Sequence, residues 1–211
     1  MVNLIEKATL MHFHRHRIAE HSRGSTKALG WKDQHSQDAR FAVLARIGPL
    51  QGCTVLDVGC GHGDLKAYLD RIAPDAAALG AYIGVDLLPE FIETAQARFS
   101  GQDNVAFYQC DFSQLILPEV DYVFASGALS YRSTEVDYYQ RMIAKFYQAA
   151  RHGLAFNMLD AALFPEHPLL VGHDRAGVLA YCQSLSGNVE VVDGYRVDDF
   201  TLLMWKCERV V

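Results

Sequence analysis

Three acids and a run of glycines have the types and the spacing to hold a nucleoside. Residues 54–65 read Thr-Val-Leu-Asp-Val-Gly-Cys-Gly-His-Gly-Asp-Leu. Gly59, Gly61 and Gly63 let the backbone turn sharply and let a ligand approach with no Cβ in the way. The dinucleotide fingerprint would need a third glycine at position 64, where Asp64 stands, and no Gly-Lys-Ser/Thr phosphate loop is present. The turn therefore favours a nucleoside without a pyrophosphate. Asp86 ends the next apolar run, about 20 residues on, where a carboxylate can accept from a ribose diol. Its plainer role is to cap the helix that Pro89 opens. Asp111-Phe112 ends a third run; the carboxylate suits an exocyclic amine, and Phe112 offers an N–H and a flat apolar face. A turn aspartate is the alternative there. After the fourth and fifth runs come Tyr131 and Asn157, able to orient an acceptor, and His167 and His173, able to take a proton near neutral pH. A surface loop is the plainer setting for each histidine. Cys60, beside a helix start, has the position of a nucleophile, although small-residue packing within the turn explains it more simply.

These residues need a scaffold of alternating strands and helices. The apolar runs at 55–58, 81–86, 105–109, 120–125 and 154–158 read as strands, the first a buried parallel one. Amphipathic helices are expected over about 65–72, 89–99 and 134–150, the last ended by His152-Gly153. A long loop covers 160–172, a length often tied to function. A helix at 175–184 then leads to two runs, 189–192 and 200–205, that read as a closing antiparallel hairpin. The expected fold is α/β, a Rossmann-like doubly wound sheet of seven strands, mostly parallel. Before it, residues 1–48 carry two helices, one of uncertain extent from Leu4 to Ala19 and one over 36–47 that stops at Gly48-Pro49. They read as a cap on a domain spanning 49–211.

The first helix carries His12-Phe13-His14-Arg15-His16-Arg17. His12 and His16 are four apart, a spacing that can hold a metal, and Arg15, Arg17, Arg23 and Lys27 could meet phosphates. A solvated basic face is the plainer reading, and no carboxylate or cysteine completes a ligand set. The 211 residues suffice for one well-buried domain, and half of them are apolar. A net charge of −6 argues against a dominant nucleic-acid surface. No apolar run approaches the roughly 20 residues of a membrane span, and the N-terminus lacks the hydrophobic core of a signal peptide. Five scattered cysteines with no Cys-x-x-Cys pair suit reduced thiols in the cytoplasm.

Asp57–Leu65, Asp86 and Asp111-Phe112, in this order and each at a strand end, resemble the three cofactor motifs of the class I S-adenosylmethionine-dependent methyltransferases. The resemblance covers about residues 50–206. Gly30-Trp31-Lys32, Ser36-Gln37-x-x-Arg40-Phe41, Ala125-Ser126-Gly127 and Phe156-Asn157 resemble a group of small bacterial methyltransferases. The resemblance implies S-adenosylmethionine as cofactor. It implies that Gly59, Cys60, Gly61 and Gly63 lie along its methionine part, and that Asp57 meets its ammonium group. Asp86 would hold the ribose, Leu87 would pack on adenine, and Asp111 and Phe112 would bind the base. Ser126 and Gly127 would line its far side, and Arg40 would pair with its carboxylate, surface solvation being the alternative for Arg40.

Methyl transfer from a sulfonium is an in-line displacement whose charge disperses in the transition state, so a dry, well-aligned site supplies most of the acceleration. The fourth turn reads Ser126-Gly127-Ala128-Leu129, not the Asn/Asp-Pro-Pro-aromatic pattern of enzymes that methylate exocyclic or amide nitrogens. The reading is a methyltransferase acting on a small-molecule acceptor, with Tyr131, Asn157 and His173 on the acceptor side. Its rivals are a catalytically silent cofactor-binding protein, a nicotinamide-dependent oxidoreductase, and an RNA methyltransferase using the basic first helix.

Overall fold

The computed structural model describes residues 4–73 and 79–207. Two helices come first, α1 (Leu4–His21) and α2 (Gln34–Leu44), the latter running into a short 3-10 turn at Ala45–Ile47. Then follow β1 (Thr54–Val58), α3 (Asp64–Ile72), β2 (Ala81–Asp86), α4 (Pro89–Arg98), β3 (Val105–Gln109) and β4 (Val120–Ala125). The chain continues with α5 (Tyr138–Ala149), β5 (Ala150–Asp160), β6 (Gly172–His173), α6 (Arg175–Leu185), β7 (Asn188–Val192) and β8 (Asp199–Trp205).

Seven strands lie in the order β3-β2-β1-β4-β5-β8-β7. The first five are parallel, while β8 runs antiparallel between β5 and β7. The sequence reverses direction across the sheet between β1 and β4, and in an open α/β sheet such a switch point opens a crevice at the carboxyl ends of the strands. The two-residue β6 pairs with the end of β5, making eight strands where seven were expected; it begins at the last residue of the run expected to be a loop.

Helices cover both faces. On one, Met142, Ile143 and Phe146 of α5 and Cys182 of α6 pack against β1, β4, β5 and β8. On the other, Leu65 and Leu69 of α3 and Ile92 and Ala95 of α4 share a core with Phe41 and Leu44 of α2. Burial on both faces is why β1 reads as a nearly unbroken apolar run. The residues expected to form one cap thus divide. Helix α2 is a layer of the body, started by the Asp33 carboxylate, which accepts from the Ser36 N–H at 2.7 Å. Helix α1 buries only His14.

The run expected as one long helix at 134–150 begins four residues later, after a turn in which the Glu135 N–H donates to Ser133 Oγ. His152-Gly153, expected to end that helix, lies in β5. A Cβ at 153 would meet the Met204 carbonyl oxygen at 2.9 Å, so this glycine permits close pairing with β8.

Candidate active site

The glycine turn is built by the strand ends themselves. The Gly59 and Cys60 N–H groups donate to the Val85 carbonyl at 2.8 and 3.1 Å, which ties the turn to β2. Gly61 then adopts φ +54°, and a Cβ there would meet Leu29 Cδ2 at 2.6 Å. The segment between α1 and α2 therefore lies directly over the turn. Trp31 covers Gly127 in the same way, its ring 2.9 Å from where a Cβ would stand.

Beneath that cover is a cavity of about 540 Å³, within the roughly 300–1,000 Å³ of small-ligand sites. It is lined by Asp57, Gly59, Cys60, Gly61, Asp86, Leu87, Asp111, Phe112, Ser126 and Gly127, by Arg40 from α2, and by Tyr131. Of the residues singled out in the sequence, these twelve come together. Gly63, Asn157 and His173 do not line it. Gly63 is the left-handed N-cap of α3, and a Cβ on it would strike the Phe99 and Phe107 rings within the core. Asn157 is 2% exposed and acts from behind the cavity wall, its Oδ1 accepting from the Gly127 N–H at 2.8 Å. His173 donates through Nε2 to the Leu129 carbonyl at 3.1 Å and packs edge-on against Tyr139. Among the described residues its one side-chain hydrogen bond is to the backbone.

The acids differ in how fully they are used. Asp57 sits one residue from the end of β1, 2% exposed, bonded to the Tyr82 hydroxyl. Burial pushes its carboxyl up to about 7, against the pull of that bond. Asp86 accepts from the Leu88 N–H at 2.9 Å and the Gly61 N–H at 3.0 Å. It therefore closes the turn ahead of α4, whose N-cap is Leu88, and fixes the glycine turn, with lone pairs left over for a diol. Burial raises its pKa and those amides oppose the rise. Asp111 has both oxygens engaged, Oδ1 with Ser113 and Oδ2 with Lys7 of α1. Its burial would raise the pKa, but the bonds from Lys7 and Ser113 bring it below the usual carboxylate value.

Arg40 is buried rather than solvated. It is 6% exposed, ion-paired with Asp199 of β8, stacked over Trp31, and donates through Nη1 to the Ser36 carbonyl at 2.7 Å. Asp199 in turn receives Asn157 Nδ2 at 3.5 Å. Arg40, Asp199, Asn157 and Gly127 form one buried chain linking α2 to the fourth turn.

Sequence reasoning gave His14, Trp31 and Asp199 no role in the site. The trace of α1 was present, since Leu10, Phe13 and His14 stand at i, i+3 and i+4 and all line the cavity. No local pattern distinguishes such a stripe from one that packs on a core.

Arg40 Nε and Ser126 Oγ are among the buried polar atoms at the cavity that lack a hydrogen-bond partner among the described residues. A buried polar atom left unpaired is costly and calls for a ligand or water. With the glycine cradle and the unfilled positions of Asp86, they suit a polar nucleoside carrying an amino-acid tail. Residues 55–153 match the methyltransferase-domain family. A candidate methyltransferase of Mycobacterium tuberculosis, Rv1506c, is 29% identical over 163 residues, 72% of this chain and 93% of that one. The tRNA U34 carboxymethyltransferase of Aeromonas hydrophila is 34% identical over 140 residues, covering 64% of this chain and 40% of that one.

Residues 55–153 are thus a methyltransferase domain, the part of the chain that holds the glycine turn and the three acids. The crystal structure of magnesium protoporphyrin IX methyltransferase from Synechocystis, with bound S-adenosylmethionine, shares the fold of this methyltransferase at a TM-score of 0.66 and 17% identity, covering 97% of this chain and 99% of that one. The cofactor of this methyltransferase is S-adenosylmethionine, whose sulfonium supplies an electrophilic methyl group. None of its described helices is long and apolar enough to cross a membrane.

Proposed function

We propose that the enzyme methylates a small anionic molecule that enters beside α1. The observation that carries this is the cover over the cavity. Leu29 and Trp31 sit on the glycine turns, and Phe13, Phe164, Leu169 and Leu170 supply an apolar wall, so the cavity suits a compact guest. Two of the cations at the N-terminus are taken up by carboxylates of α4, Arg15 of α1 by Glu90 at 2.6 Å and Arg23, just beyond α1, by Glu93 at 3.1 Å. Those arginines were the feature that favoured RNA, and here they fasten the helix to α4. Lys32 and Arg196 also line the cavity and make no ion pair among the described residues. Arg196 Nε is buried without a hydrogen-bond partner, so an anionic group on the acceptor would satisfy it.

In this reading Asp57 receives the cofactor ammonium and Asp86 the ribose hydroxyls. Leu87, Asp111 and Phe112 surround the base, and Gly59, Cys60, Gly61, Ser126 and Gly127 give the backbone room along the rest. Gly63 and Asn157 shape the turns from behind. Arg40 holds the cover in place and offers Nε to the cofactor tail. Tyr131 faces the acceptor.

Calorimetry with S-adenosylmethionine, S-adenosylhomocysteine and NAD tests the first half; the first two should bind at micromolar concentration and NAD should not. Release of S-adenosylhomocysteine is then followed over a panel of small carboxylic and phosphoric acids, neutral analogues and bulk tRNA. Turnover of anionic small molecules that falls in Arg196→Ala supports the proposal. Turnover of tRNA alone overturns it, and cofactor binding without any turnover favours a silent binding protein.

A further inference from the structure

His14 and Tyr131 stand 117 residues apart and meet at the cavity wall, His14 Nε2 lying 2.7 Å from the Tyr131 hydroxyl oxygen. The other ring nitrogen, Nδ1, lies 3.1 Å from the Ala28 carbonyl oxygen. A carbonyl only accepts, so Nδ1 carries the ring proton and Nε2 of the neutral ring is a bare acceptor. The Tyr131 O–H must then donate to His14. We infer that His14 is a positioning residue that turns the Tyr131 hydroxyl into a fixed acceptor, selecting a methyl acceptor whose reacting hydroxyl or amine donates a hydrogen bond to it. This deepens the proposed small-molecule reading and rests on it.

The chemistry follows from the inventory of a phenol, which has one donor and two lone pairs. A Tyr131 free to rotate could donate to a carboxylate or accept from an alcohol. With its only proton committed to His14, it presents lone pairs, which suit an O–H or N–H and repel a carboxylate oxygen. Burial preserves that state against the opposing pull of the Ala28 bond. His14 is 4% exposed, held between Phe13 and Phe91, with Arg17 on its own helix and His62 on the glycine turn as the charged or titratable groups around it. Burial lowers its pKa to about 4, and Arg17 and His62 act in the same direction, so the ring stays neutral over the physiological range. Tyr131 has Asp86 nearby, and burial with that carboxylate lifts its pKa well above the ordinary phenol value, so it keeps its proton.

The test has two readouts. Ring 15N shifts of His14 in the full-length protein, free and with S-adenosylhomocysteine, should report the neutral Nδ1–H form from pH 6 to 8. Loss of the Tyr131 bond in Tyr131→Phe should shift the Nε2 resonance alone. An Nε2–H tautomer, or a ring that titrates between pH 6 and 8, overturns the inference whatever the acceptor is. The second readout uses the acceptor panel. Turnover should be confined to molecules with a reacting O–H or N–H, and Tyr131→Phe should lower kcat roughly tenfold or more with S-adenosylhomocysteine affinity unchanged. His14→Gln, whose amide oxygen can accept from Tyr131, should keep more of kcat than His14→Leu. Turnover only at carboxylate oxygens, or equal losses in Gln and Leu variants, overturns it. If no small molecule is turned over while the NMR result holds, the proposed function fails and the His14–Tyr131 lock stands.

Discussion

The glycine turn and the cover above it are held by different kinds of contact. Bonds within the turn join residues close in sequence or on adjacent strands, as in Gly59 to Val85 and Gly61 to Asp86. The cover is held by pairs far apart, Lys7 to Asp111, Arg15 to Glu90 and Arg40 to Asp199. The first kind forms once β1 and β2 pair. The second requires the whole sheet, because Asp199 lies on the antiparallel β8. The floor of the site is thus rigid by construction, and its roof is fastened by a few charges of unequal depth.

The deepest of those charges should matter most. Asp199→Ala leaves Arg40 buried without its partner, and loss of one member of a buried pair costs about 3–5 kcal/mol. Urea unfolding should show a drop of that size, and a drop of under about 1 kcal/mol would mean that apolar packing alone holds α2. On the floor, Asp86→Ala should weaken cofactor binding by roughly 1.5–3 kcal/mol through the lost diol and turn bonds. Asp86→Asn separates the two, since the amide can still accept from Gly61 or Leu88; unchanged affinity in both variants removes Asp86 from the cofactor site.

A pH series sharpens the floor further. Asp57 titrates near 7 because it is buried, whereas an unfolded aspartate does so near 3.9. Its folded pKa is raised, so its ionisation costs stability progressively as pH climbs from about 4 towards 7. A cationic ammonium beside it favours the ionised form. S-adenosylmethionine affinity should therefore rise between pH 5.5 and 7, with proton release visible as a dependence of binding heat on buffer ionisation enthalpy. Flat affinity with no proton released would remove Asp57 from the ammonium site.

The smallest effects belong to the outer roof. Lys7→Ala removes a partly exposed pair and should change stability by no more than about 1 kcal/mol. It also releases Asp111 Oδ2, so if that carboxylate receives the adenine amine, cofactor binding should tighten a few-fold. Weaker binding in this variant would instead make Lys7 part of the site.

The floor was legible because its requirements are local. Glycines must stand where φ is positive, and an acid at a strand end is available to a ribose wherever the sheet lies. The periodicity likewise marked five parallel strands and the hairpin. It misjudged His152-Gly153, because whether a glycine ends a helix or lets a strand come close depends on β8, fifty residues further on. Arg40 posed the same difficulty. From the sequence it was equally a cofactor ligand or a solvated surface residue; only the folded sheet brings Asp199 to it. His14 was one of several histidines in a basic helix until Tyr131 and Ala28 reached its two nitrogens.

The sequence by itself determined the sheet, the glycine turn and the acids around it, since short apolar runs and backbone sterics act over a few residues. Tertiary structure alone decided which histidine is buried, which arginine is paired and which way a tyrosine proton points. Those outcomes depend on Tyr131 meeting His14 across 117 residues and Asp199 meeting Arg40 across 159, and no local spacing encodes them.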